Sequence, residues 1–309
     1  MMQLTEKALL AADLGFRIER DYPLAKLTTF GIGGPADWTA FCTKPEQVIA
    51  AVKLCSDYGL DYFVLGGGSN VLASDKGFRG MIILPRIESF RVEGTAVSVG
   101  AAFSLARMIE IVVEAGLGGL ESLSGIAGTV GGAIVGNAGA YGQSISDTLI
   151  DVQLYHPDRG LYTEVKENLG FKYRHSNLKW SKNIVLSARF GLKQDDVEML
   201  RDRAAEILEQ RWSRHPHEDI SAGCFFKNIE DKNAPHGKIA AGFLLEQIGA
   251  KQTTVGQAGV YPNHANILIN KGGASASDVR KLSLLLKQKV KEAYGVELNE
   301  EVVLLGDFS

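Results

Sequence analysis

Between Ser124 and Gly142 the chain reads Ser-Gly-Ile-Ala-Gly-Thr-Val-Gly-Gly-Ala-Ile-Val-Gly-Asn-Ala-Gly-Ala-Tyr-Gly, without one charged side chain. Glycine recurs here at short, irregular intervals, so the segment has neither the period of a helix nor that of a strand. Side chains this small let a backbone approach a bound molecule closely. The uncharged run from Ser122 to Ser146 is long enough to cross a bilayer. Glycine, however, costs a helix about 1 kcal/mol per position relative to alanine, so a membrane helix is the poorer reading. We expect a backbone wrapped around a ligand rather than a glycine-rich structural turn.

A second glycine run, Leu65-Gly-Gly-Gly-Ser-Asn70, follows a short apolar stretch, Tyr62–Leu65. Consecutive glycines admit positive φ and expose N–H groups, which makes a concave site for a pyrophosphate. A flexible hairpin loop would look the same. Two such loops in one half of the chain favour a dinucleotide cofactor over a single phosphate. Gly31-Ile-Gly33-Gly-Pro-Ala36 matches the dinucleotide fingerprint G-x-G-x-x-A, but the fingerprint has to open a helix. Pro35 precedes a strand-like run instead, so no standard Rossmann site is expected there.

Composition narrows the class. With 309 residues, 45% of them hydrophobic, the chain can bury a core and suggests about two domains. A net charge of −3 and the lack of a basic block argue against nucleic-acid binding. Cys42, Cys55 and Cys224 are scattered and show no C-x-x-C pair, which fits a reducing compartment. Glu6, Lys7 and Asp13 interrupt the apolar N-terminal stretch, so no secretory signal is read there. A cytoplasmic protein without membrane or nucleic-acid partners, monomeric or weakly oligomeric, is expected.

Strands are expected at Asp37–Cys42, Tyr62–Leu65, Met81–Leu84, Ile150–His156, Ile184–Phe190 and Ala265–Asn270. Thr43-Lys-Pro-Glu46 reads as a capping box opening a helix through Cys55. Further helices are expected at Ser104–Ala115, Asp195–Arg214 (charged, a candidate connector) and Ala240–Ile248. Another opens at Ser275-x-x-Asp278 and closes at Gly295. The mixture is α+β. The boundaries expected are a cofactor region at 1–197, with subdomains of about 1–85 and 86–197, and a smaller domain at 198–309 whose last residues pack back on the first region.

Two shorter motifs carry candidate chemistry. In Phe171-Lys-Tyr-Arg-His-Ser176, Arg174 alone would read as a surface cation packing its stem. In Ser221-Ala-Gly-Cys-Phe-Phe-Lys-Asn228, Cys224 is either a buried hydrophobe or a proton donor. A thiol of ordinary pKa about 8.5 is still mostly protonated at pH 7. His215-Pro-His217-Glu218-Asp219 resembles a metal cluster, but Pro216 prevents helical presentation of the two histidines, and no metal site is expected.

Taken in order, GGGSN, SGIAGTVGGAIVGNAGAYG, YRHS, SAGCFFKN and the terminal Val296-Glu-Leu-Asn-Glu-Glu-Val302 resemble the UDP-N-acetylenolpyruvoylglucosamine reductase family, from about residue 27 to 306. The resemblance implies an FAD-binding fold of the vanillyl-alcohol-oxidase type, followed by a smaller α+β substrate domain. It also implies that NADPH reduces noncovalent FAD, and that an enolpyruvyl nucleotide-sugar is then reduced to UDP-N-acetylmuramate for the cell wall. A flavin oxidase of the same fold is the alternative.

By motif position, the resemblance places Arg174 on the substrate carboxylate, which a guanidinium can fork, and Cys224 as proton donor where many members have serine. Glu301 takes the acidic position that orients the enol intermediate or assists proton transfer, with Glu300 its competitor. Cofactor positions are Gly66, Gly67, Gly68, Ser69, Asn70, Ser124, Gly125, Ile126, Gly128, Thr129, Gly131, Gly132, Asn137 and Gly139. Substrate positions are Lys227, Asn228 and His264. The chain departs from the family at Ala127 and Ile229, where proline is usual, and each change loses some loop rigidity. The short span from Arg174 to Cys224 resembles the family's second type.

Overall fold

In a computed structural model, the structure describes residues 15–216, 220–234 and 237–309. Glu6, Lys7 and Asp13, and likewise His217, Glu218 and Asp219, lie outside those residues. The chain divides into two compact units. One contains the described residues up to Tyr22, with Ala36–Gly66 and Arg79–Ile207. The other contains Pro23–Pro35, Gly67–Phe78 and Leu208–Ser309. The elements are mixed helix and strand, as the sequence indicates.

The first unit holds two sheets. The smaller has the order Arg17–Pro23, Pro35–Cys42, Phe78–Pro85, Tyr62–Val64, with the last two parallel and Phe63 opposite Ile82. Helix Pro45–Tyr58 supplies Val48, Ala51, Val52 and Cys55 to a core with Trp38, Ala40, Met81 and Ile83. Its cap differs from the expected box at Thr43 and Glu46. Lys44 is the N-cap, and the Gln47 side chain accepts from the N–H groups of Thr43 (2.7 Å) and Lys44 (3.2 Å). Gln47 thus takes the Thr43 N–H that Glu46 was expected to satisfy.

The larger sheet is antiparallel, in the order Gly160–Val165, Leu149–His156, Ile184–Gly191, Ala96–Gly100, Phe90–Glu93. Against it lies helix Leu105–Glu114, which buries Leu105, Met108, Ile109, Val112 and Val113 at helical spacing. Full burial of such side chains stabilises by about 1.5–3 kcal/mol each, so this face supplies most of the helix's anchorage. The glycine-rich segment departs from expectation, because Val130–Gly136 within it forms a helix. Val130, Ala133 and Ile134 are buried in the same core, and that tertiary contact outweighs the poor helix propensity of its glycines.

The second unit is built on the antiparallel order Ser221–Cys224, His264–Asn270, Ala258–Tyr261, Thr254–Val255. Helices Ala241–Gln247 and Ala276–Tyr294 contribute Leu244, Leu245, Val279, Leu282 and Leu286 to its core. Phe30, Ile32 and Leu72, from the two early segments, are buried in that core as well. Val303–Leu305 pairs in parallel with Val71–Ala73, so the end of the chain and the residues after the GGGSN run share a ladder. Helix Ala276–Tyr294 has the capping box expected, with Ser275 Oγ accepting from Asp278 N and Asp278 Oδ2 accepting from Ser275 N. Gly295 ends it at φ +67°. Among the described residues no helix is long and apolar enough to cross a membrane.

Candidate active site

In the first unit the glycine-rich segment is shaped by positive φ at Gly125 (+75°) and Gly128 (+122°). Thr129 caps the short helix, its Oγ1 accepting from Gly132 N. Asn137 closes the helix at φ +45°, a left-handed position that asparagine tolerates better than most residues. A β-carbon on Gly131 would meet Ala101 at 2.9 Å, and one on Gly66 would lie 2.7 Å from Thr129 Oγ1. The segment is therefore pressed against its neighbours where it lacks side chains. Gly139 similarly faces the Gln143 carbonyl across a two-stranded turn. Of the other expected positions in this segment, Gly132 is exposed and Ile126 packs against the main core.

Two buried polar atoms in this segment, Ser124 Oγ and Asn137 Oδ1, have no protein hydrogen-bond partner. A buried oxygen left unpaired costs roughly 1–3 kcal/mol, and a bound molecule with donors at this place would complete the network. Ser124 and Asn137 are both positions assigned to FAD from the sequence. A glycine-lined backbone with waiting hydroxyl and amide oxygens fits a polar dinucleotide.

The same unit brings Arg174 to this segment. Lys172 and His175 exchange backbone hydrogen bonds around a tight turn, with Arg174 inside it at φ +52°. For arginine that conformation is uncommon and costs of order 1–2 kcal/mol, so it persists only where the surroundings enforce it. Two bonds do so: Asn137 Nδ2 donates to the Lys172 carbonyl (2.9 Å), and Ser176 Oγ donates to the Val135 carbonyl (2.7 Å). Asn137 thus serves the Arg174 turn with its amide while its oxygen stays unpaired.

In the second unit Cys224 ends a strand paired with Ile267, after a bulge at Gly223, whose φ is +70°. Cys224 is partly exposed, unlike the buried Cys42 and Cys55, whose thiol pKa burial pushes up to about 12. The chain then runs beside the C-terminal acidic segment. Phe226 bridges Glu300, Glu301 N donates to the Phe225 carbonyl (2.8 Å), and Lys227 N donates to the Asn299 carbonyl (2.8 Å). This lays the Cys224–Asn228 segment alongside Glu301. Asn228 Oδ1 accepts from Ala241 N at the start of a helix, which anchors the segment's far end.

The two acids separate clearly. Glu300 accepts from Arg280 (2.9 Å) and Lys287 (3.0 Å) on helix Ala276–Tyr294. Burial raises its pKa, but the bonds from Lys287 and Arg280 outweigh this and hold the carboxyl below its ordinary value. Glu300 is committed to the fold. Val302 is buried in the core, and partly exposed Glu301 lies between them.

His264 is half-buried, with Nδ1 accepting from Asn266 N (3.2 Å), so its neutral form carries the proton on Nε2. Burial, then the charges of Arg214 and Lys251, lower its pKa and favour that neutral form. Its ring lies 5.5 Å from that of His215. Burial, Arg211 and His264 together push His215 down to about 4. Among the described residues no cluster of histidine, cysteine and acidic side chains could hold a metal ion.

One residue the sequence reading left unassigned is Asn266. Buried in the core, it accepts from Phe226 N through Oδ1 (2.9 Å) and donates to Phe226 O through Nδ2 (2.8 Å). Its own carbonyl accepts from Phe225 N (2.7 Å). A buried amide clamping a neighbouring segment leaves no local signature in the sequence.

The profile for the C-terminal domain of UDP-N-acetylenolpyruvoylglucosamine reductase matches residues 215–305, and that for an FAD-binding domain matches residues 36–164. The chain is 36% identical over 298 residues to the UDP-N-acetylenolpyruvoylglucosamine reductase of Caldicellulosiruptor bescii, covering 95% of this chain and 92% of that one. It is 35% identical over 288 residues to that of Clostridium botulinum, covering 93% and 92%. The crystal structure of UDP-N-acetylenolpyruvylglucosamine reductase from Thermus caldophilus superimposes with a TM-score of 0.80 at 34% identity, covering 94% of this chain and 99% of that one. The α+β architecture with an FAD-binding domain, expected from the sequence, is therefore found, and the chain belongs to the UDP-N-acetylenolpyruvoylglucosamine reductase family.

Proposed function

We propose that Arg174, Cys224 and Glu301 carry the chemistry of an NADPH- and FAD-dependent reduction of UDP-N-acetylglucosamine enolpyruvate to UDP-N-acetylmuramate, a step of peptidoglycan precursor synthesis. Of the two activities left open by the sequence, the family decides for the reductase over the oxidase. FAD, when bound, relays two electrons from NADPH to the enol-ether double bond. In the larger unit Ser124, Gly125, Ile126, Gly128, Thr129, Gly131, Gly132, Asn137 and Gly139 would hold it, together with Gly66. Gly67, Gly68 and Ser69 are retained as further cofactor positions.

Arg174 holds the substrate carboxylate, next to which negative charge builds during reduction. A guanidinium offers two parallel donors at fixed spacing, and the enforced turn keeps them aimed. Cys224 gives its proton to the carbon bearing that carboxylate. Its partial exposure keeps it within reach of substrate, where Cys42 and Cys55 are not. Glu301 orients the enol-like species. Lys227 and His264, the latter through its Nε2–H, bind the nucleotide-sugar, and Asn228 supports them. With NADPH and a nucleotide-sugar as co-substrates the enzyme is assigned to the cytoplasm, as a monomer or weak oligomer.

The observation that carries this reading is the pairing of the Cys224–Asn228 segment with Glu300 and Glu301, which brings Cys224 and Glu301 into one layer while Arg280 and Lys287 tie Glu300 to the fold. Anaerobic mixing tests it. Holoenzyme bleached by NADPH should recover its flavin absorbance on addition of the enolpyruvyl substrate, with one UDP-N-acetylmuramate formed per flavin. Recovery only with oxygen would mean an oxidase.

A further inference from the structure

Asn70 closes the GGGSN run and reads from the sequence as a cofactor contact, yet its side chain is engaged elsewhere. Its Nδ2 donates to the backbone carbonyl of Glu301 (3.2 Å), and its own carbonyl accepts from Val303 N (3.0 Å). Because Glu301 N donates to the Phe225 carbonyl (2.8 Å), the Glu301 peptide is gripped on both sides. Beyond it the parallel ladder Val303–Val71, Leu304–Leu72 and Leu305–Ala73 continues the attachment.

The support for Asn70 is rigid in turn. Gly68 lies at φ +65°, so close to Leu27 that an added β-carbon would lie 1.8 Å from its carbonyl oxygen. Asp75 accepts from Ala276 N (2.7 Å) and Ser277 N (2.9 Å), fastening the same segment to the start of helix Ala276–Tyr294. That helix also supplies the Arg280 and Lys287 that hold Glu300. Glu300 and Glu301 are thus mounted on one frame, with the Glu301 carbonyl held by the Asn70 amide.

We propose that Asn70 is a positioning residue for Glu301, setting where the acid sits by holding its peptide carbonyl. The role rests on the reading of Glu301 above. A reacting group displaced by about 1 Å can lose on the order of 10²-fold in rate, so a lost backbone donor is enough to register.

A double-mutant cycle on the flavin-loaded enzyme tests it, with Asn70→Ala, Glu301→Ala and the pair, measuring flavin content and both half-reactions. Asn70→Ala should slow reoxidation by enolpyruvyl substrate about 10–100-fold while flavin content and reduction by NADPH stay at wild-type levels. In the Glu301→Ala background the same change should cost less than about twofold, the non-additivity expected of residues acting as a unit. Asn70→Asp, which keeps the shape and removes the donor, should reproduce the loss if Asn70→Ala folds poorly. Flavin loss in both Asn70 variants, or an undiminished cost in the Glu301→Ala background, would overturn the role. A wild-type rate for Glu301→Ala would sink the Glu301 assignment and the Asn70 role with it. A slow Glu301→Ala with an additive Asn70→Ala sinks the Asn70 role alone.

Discussion

The glycine-rich segment of the first unit and the Cys224–Glu301 layer of the second solve opposite problems. The first leaves Ser124 Oγ and Asn137 Oδ1 buried without protein partners. The second satisfies nearly every peptide it needs to hold still, through Asn266 on Phe226, Phe225 on Glu301 and Asn70 on Glu301. A surface that grips a large polar cofactor keeps hydrogen-bonding capacity in reserve. A surface that times a proton transfer spends that capacity on geometry. Substitutions in the two regions should therefore fail in different ways.

The largest expected effect is in the second region. Cys224→Ala should lower turnover by about 10²–10⁴-fold, the usual weight of a general acid, and Cys224→Ser should recover much of it, since a hydroxyl can donate the same proton. Steady-state kcat for the two variants checks this. Arg174→Lys should follow with a loss of roughly 30–150-fold in kcat/KM, because a point charge cannot replace a forked, charge-assisted pair worth about 2–3 kcal/mol. Near-normal turnover would remove Arg174 from the carboxylate.

In the first region Gly66→Ala should act on the cofactor instead. Its β-carbon would press on Thr129 Oγ1, the cap of the short helix, and overpacking of this kind costs about 1–3 kcal/mol. A flavin Kd raised roughly tenfold, with half-reaction rates normal once flavin is saturating, is the expected outcome by titration of flavin fluorescence. The smallest effect concerns pH. His215 is held near 4 in the folded chain against an ordinary 6.5, so between those values the unfolded chain binds more protons. The associated stability is complete above about pH 6.5 and is lost as pH falls toward 4. The urea midpoint should drop between pH 7 and pH 5, less steeply in His215→Gln.

Local signals made part of this legible. Ser275, Asp278 and Gly295 bracket a helix with the capping chemistry their spacing announces, because every partner lies within one turn. Candidate site residues were readable only where a motif resembled a family. Gln47 displaced the expected cap because a side chain one position on could reach two donors. The helix at Val130–Gly136 escaped because its support is the distant core around Ile134, and no periodicity in a run of glycines reports that. The burial of Phe30 and Leu72 with residues beyond 220, and the engagement of Asn70 by Glu301, are long-range contacts that a linear reading does not encode.

The separation of the two regions is tested most directly by anaerobic rapid mixing of flavin-loaded Cys224→Ala. Bleaching by NADPH should proceed at the wild-type rate with full flavin content, and the return of flavin absorbance on adding enolpyruvyl substrate should be slowed by at least about 10²-fold. Slowed bleaching, lost flavin, or a second phase as fast as the wild type would contradict the account.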